Sequence, residues 1–397
     1  MSATTATINE TIQKHKDLFY RISQEIWNHP ELGFEEEFAH RLLTDSLDKF
    51  GFRTKKNYIL PTGFRAEFSN NCKGPVVAIL CEYDALPGIG HACGHNLIAE
   101  AGIAAAVAIK AVLETDPSVG GTIVVFGTPA EENGGGKIHF LKAGSFENVD
   151  VALMVHPGRS NIIFKPNITR INITAIFKGI SSHSSSSPWL ARNALDAAVN
   201  SYTSIGLLRQ QIHPECRIEV IISKGGEARN VIPSEAEMQL GIRTRNMFEL
   251  DELVKRIRVC CQSGAAAAGC DVDFITEGDA YDSMFYNKPL GMRFKKHAEK
   301  LGNYTGLQFV ERSEDIGRAS TDMGNVSQVV PSIHPVYRIG NTPNHNIRFA
   351  NVAKTKESHL SSLQMARIMA RTCMDVFEDQ KLLEEIKKYF LENKSAK

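Results

Sequence analysis

Three apolar runs of strand type, residues 76–80 (VVAIL), 122–126 (TIVVF) and 151–155 (VALMV), restrict what this chain can fold into more than any other feature. Continuous apolar runs of this length read as strands buried on both faces, the kind found in parallel sheets with helices on each side. The segments around them carry helical periodicity. Ile12, Phe19, Ile22 and Ile26 keep one apolar face, and Phe34, Phe38, Leu42 and Leu47 keep another, with Pro30 and Gly51 as punctuation. The longest apolar stretch, 97–112, is Ala-rich and interrupted by Glu100, Gly102 and Lys110, so it reads as a buried helix rather than a membrane span. The expected class is α/β, a mixed, mostly parallel sheet covered by helices.

From about Thr169 the pattern changes. Residues 171–177 alternate as a strand with one wet face, a helix is expected over 189–211, strands near 217–223 and 235–244, a helix near 249–268 stopped by Gly269, and a strand near 271–276. That β-α-β-β-α-β order is ferredoxin-like. Helix-and-strand alternation resumes after Pro289 and ends in a charged helical tail, 381–393. The chain of 397 residues is too long for one ordinary core, and the simplest division is a catalytic domain in two pieces, 1–167 and 283–397, with an inserted domain at 168–282.

Composition removes other classes. Lys+Arg and Asp+Glu both number 45, so no net field attracts nucleic acid or an anionic membrane, and neither is expected as a partner. The eight cysteines are scattered, with no C-x-x-C, and the amino terminus lacks a basic segment followed by an apolar one. A reducing, cytoplasmic setting is expected, with the sequons at Asn167, Asn172 and Asn303 unused.

Chemistry-bearing residues gather where the strands end. Glu82-Tyr83-Asp84 follows the first run, His91-Ala92-Cys93-Gly94-His95-Asn96 opens the Ala-rich helix, Pro129-Ala130-Glu131-Glu132 follows the second run, and His156-Pro157 follows the third. Each cluster alone has an ordinary explanation as a turn, a cap or a solvated face. Together they put thiol, imidazole and carboxylate donors at the carboxyl ends of successive strands, the edge where open α/β sheets bind ligands, and this points to a metal site. Rival signatures are incomplete. Gly88-Ile89-Gly90 begins like a dinucleotide fingerprint but reaches Cys93 in place of the third glycine, Gly136-Lys137 runs into Ile138 without the upstream P-loop glycine, and no G-x-S-x-G occurs.

These motifs, with Gly179-Ile180-Ser181-Ser182-His183 and Pro188, Asn230-Val231-Ile232-Pro233 followed by Arg243, and Asn344-His345-Asn346, resemble the dinuclear-metal aminoacylase and carboxypeptidase superfamily, in particular its amidohydrolase branch. Asn96 departs from that branch, which usually has Asp there. The runs 90–100 and 320–326 are most similar to cytosolic dipeptidases of the superfamily that cut β-alanyl dipeptides ending in a basic residue.

The resemblance implies a zinc-peptidase-like catalytic domain with an inserted dimerisation domain. Cys93, His95, Glu132, His156 and His345 would bind two divalent ions, zinc by preference, with manganese or cobalt also accepted. Glu131 would be the general base, Asp84 would orient a ligand histidine, and His183 would reach the oxyanion from the other subunit of a homodimer. Asn230 and Arg243 would grip the substrate carboxylate. The expected substrate is a small dipeptide, the alternative an N-acyl amino acid, and a different class altogether is a metal-binding scaffold without catalysis. Of the late histidines, His334 is expected in a packed loop, with lining the site as the alternative, and His29, His40, His139 and His359, in helical patterns, are expected at the surface or an interface.

Overall fold

A computed structural model describes residues 2–70, 72–312 and 319–394. The described residues form two compact units. One contains the chain up to Pro166 and the parts beginning at Met284 and Thr321; the other contains Asn167–Ser283 with residues 319–320. The strands, in chain order, are β1 (Arg53–Lys55), β2 (Phe64–Ser69), β3 (Val76–Cys81), β4 (Thr122–Gly127), β5 (Val151–Leu153), β6 (His156–Gly158), β7 (Thr169–Lys178), β8 (Arg217–Lys224), β9 (Glu235–Thr244), β10 (Asp271–Thr276), β11 (Ser332–Ile333) and β12 (Val336–Arg338).

The first unit is built on a sheet of order β1-β2-β4-β3-β5-β11. β4, β3, β5 and β11 run parallel, and β1 and β2 add an antiparallel edge. Register decides what emerges where. Cys81 pairs with Gly127, so β3 and β4 end level and release Glu82 and Thr128 at the same edge. The third run is interrupted: β5 stops at Leu153, and His156 opens β6, which pairs in parallel with β12 in a separate two-stranded sheet. His156 therefore starts a strand instead of ending one, because Met154 and Val155 cross from one sheet to the other.

The Ala-rich helix, His95–Thr115, lies in the main core and is flanked by the first helix, Ala3–Asn28, and a late helix, Lys356–Glu378. It is long and apolar enough to span a membrane by composition, yet 94% of its most apolar window is buried inside the protein. The first helix buries Ile8, Ile12, Phe19, Ile22 and Ile26. The second begins at Glu37 and buries Ala39, His40, Leu43, Thr44 and Leu47. Its core row thus differs from the expected one. Phe34 precedes the helix in a left-handed turn, φ 69°, and the helix presents the 39/43/47 row.

The second unit is a four-stranded antiparallel sheet, order β10-β7-β9-β8, as a β-α-β-β-α-β chain gives. Its helices, Ala194–Leu208 and Met247–Ala267, pack over one face around Phe177, Met238, Leu240, Leu253 and Cys261. The first is shorter than expected, because Pro188–Leu190 forms a separate 3₁₀ turn and Asn193 caps a fresh start by accepting from the Leu195 N–H.

Candidate metal centre

The level ends of β3 and β4 bring Asp84 and the 129–132 loop together. Asp84 is fully buried, and its Oδ2 accepts the Glu132 backbone N–H at 3.0 Å. Its Oδ1 lies 2.9 Å from His95 Nδ1, which turns the other ring nitrogen, Nε2, toward Glu82 and Glu132. Burial alone would raise the Asp84 carboxyl, but His95 and the Glu132 N–H hold it below the ordinary carboxylate range.

Gly94 separates Cys93 from His95 and caps the core helix at φ 81°. A Cβ there would come within 2.6 Å of Pro157, so the turn that lets both donors face one point needs glycine. Cys93 Sγ is 3.5 Å from His156 Nε2, and His156 Nδ1 donates to the Pro157 carbonyl at 2.7 Å, which leaves Nε2 with its lone pair toward the thiol. Glu132 Oε1 lies 3.4 Å from His345 Nε2 and 3.9 Å from His95 Nε2. Two non-glycine residues sit in the left-handed region here, Ala130 at φ 58° and His345 at φ 62°. Both turns aim donor side chains into the site, and both are held from outside: the Ala130 N–H by the buried Glu36 carboxylate at 2.8 Å, the His345 N–H by the Ala92 carbonyl at 2.9 Å.

Four donor groups result among the described residues: Cys93 with His95 and His156, Cys93 with Glu132 and His345, His95 with Glu131 and Glu132, and Glu82 with Glu131 and Asp322; within each, the ligand atoms lie no more than 4.8 Å apart. Cys93 belongs to the first two. The fit to divalent ions is supported by His95 Nε2, which is buried and makes no hydrogen bond among the described residues. Donors about 2.0–2.3 Å from one tetrahedral ion stand roughly 3.3–3.7 Å apart, close to the separations here. Thiol, imidazole and carboxylate in one pocket suit zinc and related ions.

Charge is concentrated around the group. Burial, then Glu82, Glu132 and Asp322, push the Glu131 carboxyl well above its usual range. Burial opposes ionisation of Glu132 as well, but His345 and His95 outweigh it and hold that carboxyl low. Burial, with His334 and His95 adding to it, keeps His156 neutral. His334 is buried as expected and packs on the site, the alternative left open for it: its ring centroid is 5.5 Å from that of His156, and burial lowers it to about 3.

Several participants had no role in the sequence reading. Lys137, fully buried, donates to Glu82 at 2.5 Å and to Asp322 at 2.6 Å, beside Glu131. Glu36 supports the 129–132 loop. Asn96, the departure from the branch pattern, faces away from the donors and binds Ser23 and the Ala353 carbonyl. His40 and His359 are buried within the chain, in correction of the surface-or-interface assignment, and His359 pairs with Glu100 of the core helix.

His183, Asn230 and Arg243 lie in the second unit. His183 forms a bridge with Val231, and the Ser184 N–H donates to the Asn230 carbonyl, so the first two are neighbours. His183 Nδ1 accepts from the Ser185 and Ser186 N–H groups, each at 3.3 Å, which puts the ring proton on Nε2. Arg243 pairs on the sheet face with Glu219 at 3.1 Å and donates to Ser320 at 3.2 Å.

A mostly parallel sheet with such a donor set at its ligand-binding edge fits the class of metal-dependent enzymes. Comparison with known proteins narrows the class. The peptidase dimerisation domain family matches residues 166–268. The Xaa-Arg dipeptidase of Mus musculus is 40% identical, covering 96% of this chain and 90% of its own length; that of Homo sapiens is 39% identical with the same coverage. A dinuclear metal-binding peptidase of the M20 family from Bacillus subtilis shares the fold, with a TM-score of 0.66 and 20% identity over 94% of this chain and 99% of its own. The chain belongs to the M20 peptidase family, as its motifs imply.

Proposed function

We propose that this protein is a dipeptidase that removes a basic carboxyl-terminal residue from small dipeptides, with a β-alanyl or similar first residue, working in the cytoplasm as a homodimer with two zinc ions per chain. The observation that carries the chemistry is the pair of donor groups sharing Cys93 beside the buried Glu131. The preference for a basic residue is supported by the likeness to Xaa-Arg dipeptidases over nearly the whole chain. Two divalent cations held by Cys93, His95, Glu132, His156 and His345 supply the charge that polarises the scissile carbonyl and acidifies water near neutral pH.

Glu131 takes the proton of the attacking water and passes it to the departing amine. Asp84 keeps His95 in the tautomer whose Nε2 faces the site. His183, its Nδ1 occupied and its Nε2 protonated, is set up to donate to a developing oxyanion, a role it takes in the partner's active site. Asn230 and Arg243 take the substrate carboxylate, Arg243 exchanging Glu219 for it.

The test is metal analysis followed by amine release from β-alanyl-lysine, β-alanyl-arginine and hippurate, with and without chelator. About two ions per chain and chelator-sensitive cleavage of the dipeptides are expected. Preference for hippurate would transfer the assignment to N-acyl amino acids. Glu131→Ala should lower turnover by at least ~100-fold with metal content unchanged; an active variant would remove Glu131 from the role of base.

A further inference from the structure

Glu82 is the first residue beyond β3 and is fully buried, on the same side of the chain as Asp84, while Tyr83 between them turns away and stacks on Phe64. Its two carboxylate oxygens have different surroundings. Oε1 accepts from Lys137 at 2.5 Å, and Lys137 is anchored on its far side by Asp322, which accepts from Nζ at 2.6 Å and from the Lys137 backbone N–H at 2.9 Å. Oε2 makes no hydrogen bond among the described residues and faces His95 Nε2 across 3.6 Å; that nitrogen also makes none. Two fully buried polar atoms with no hydrogen-bond partner among the described residues point at the same space.

Neutralising Lys137 does not require this arrangement. Asp322 already accepts one hydrogen bond from the ammonium and another from the Lys137 backbone N–H, and a second buried carboxylate with a bare oxygen is unfavourable unless a cation faces that oxygen. The separation of 3.6 Å is what two ligands of one tetrahedral ion have, and Lys137, clamped by Asp322, fixes the carboxylate so that Oε2 and not Oε1 faces the donor group. We propose that Glu82 is a further metal ligand, sharing with His95 one of the two ions, and that Lys137 and Asp322 are positioning residues that aim its Oε2. This rests on the dinuclear reading of the site.

The experiment compares full-length wild type, Glu82→Gln and the double variant Glu82→Gln/Lys137→Met. Each is loaded with zinc and dialysed against graded chelator, and metal per chain is read by elemental analysis. About two ions on the wild type support the dinuclear reading; their absence after reconstitution would remove that reading whatever Glu82 does. With two ions on the wild type, Glu82→Gln is expected to release one ion at least tenfold more readily and to keep the other. The double variant, which removes anion and cation together, is expected to show the same loss. Retention of both ions at wild-type affinity by the double variant would overturn the proposal and leave Glu82 as the counter-ion of Lys137, and it would do so even if the single variant did not fold. Unchanged release from a folded Glu82→Gln would overturn it as well.

Discussion

A left-handed alanine is an expensive way to turn a chain, and at Ala130 the cost is offset by one side chain. Glu36, fully buried, accepts the Ala130 N–H at 2.8 Å with one oxygen and the Thr62 hydroxyl at 2.8 Å with the other. Burial, then Asp84, raise it to about 7. Glu36→Ala leaves a buried N–H and a buried hydroxyl unmet and should cost about 2–4 kcal/mol, while Glu36→Gln, which can meet both, should cost under about 1 kcal/mol; denaturant unfolding of the two variants separates them. The five proposed metal donors were legible because each sits in a short motif at a strand end or helix entry. Glu82 stood in such a motif without a role of its own, and Glu36, Lys137 and Asp322 were not legible, because their meaning lies in pairings across the chain: Lys137 and Asp322 are 185 residues apart, and no local spacing records that.

Elements were legible where periodicity spoke for itself. The core helix, the strands β3 and β4 and the four-stranded sheet follow the runs that predict them. The break between β5 and β6 did not show, since a continuous apolar run looks the same whether it serves one sheet or two. The packing of elements also hides a titration. On the core helix Glu100 is buried against His359 of the helix Lys356–Glu378, and burial raises it to about 7. A carboxyl raised in the folded state binds its proton more tightly there than in the unfolded chain, so its contribution is fully present below about pH 4.5 and is lost as pH rises toward 7. Glu100→Gln should therefore match the wild type near pH 5 and exceed it by ~1–3 kcal/mol at pH 8. Thermal unfolding at the two pH values checks this; equal gains at both would assign the effect to packing.

At the scale of the whole molecule the proposal that His183 serves the partner's active site makes a prediction that no single variant can. His183→Ala and Glu131→Ala homodimers should each be nearly inactive. Co-expressed, they form mixed dimers in which one of the two sites combines an intact Glu131 with an intact His183 from the other chain. Random pairing makes about half the dimers mixed, so activity should return to roughly a quarter of wild type when the loss in each homodimer is complete. No recovery, with mixed dimers shown to be present, would place His183 in its own chain's site or outside catalysis.

The core helix that begins at His95 has its own consequence during synthesis. Away from the sheet, its main cover comes from Ala3–Asn28, made before it, and from Lys356–Glu378, made almost last. At roughly 5–20 residues per second, about 10 to 50 s pass between the emergence of the helix and that of its second flank. For that interval the most apolar segment of the chain stays half-covered on the ribosome. A premature stop before residue 356 would release a product in which that surface can only be met by a chaperone or by another chain.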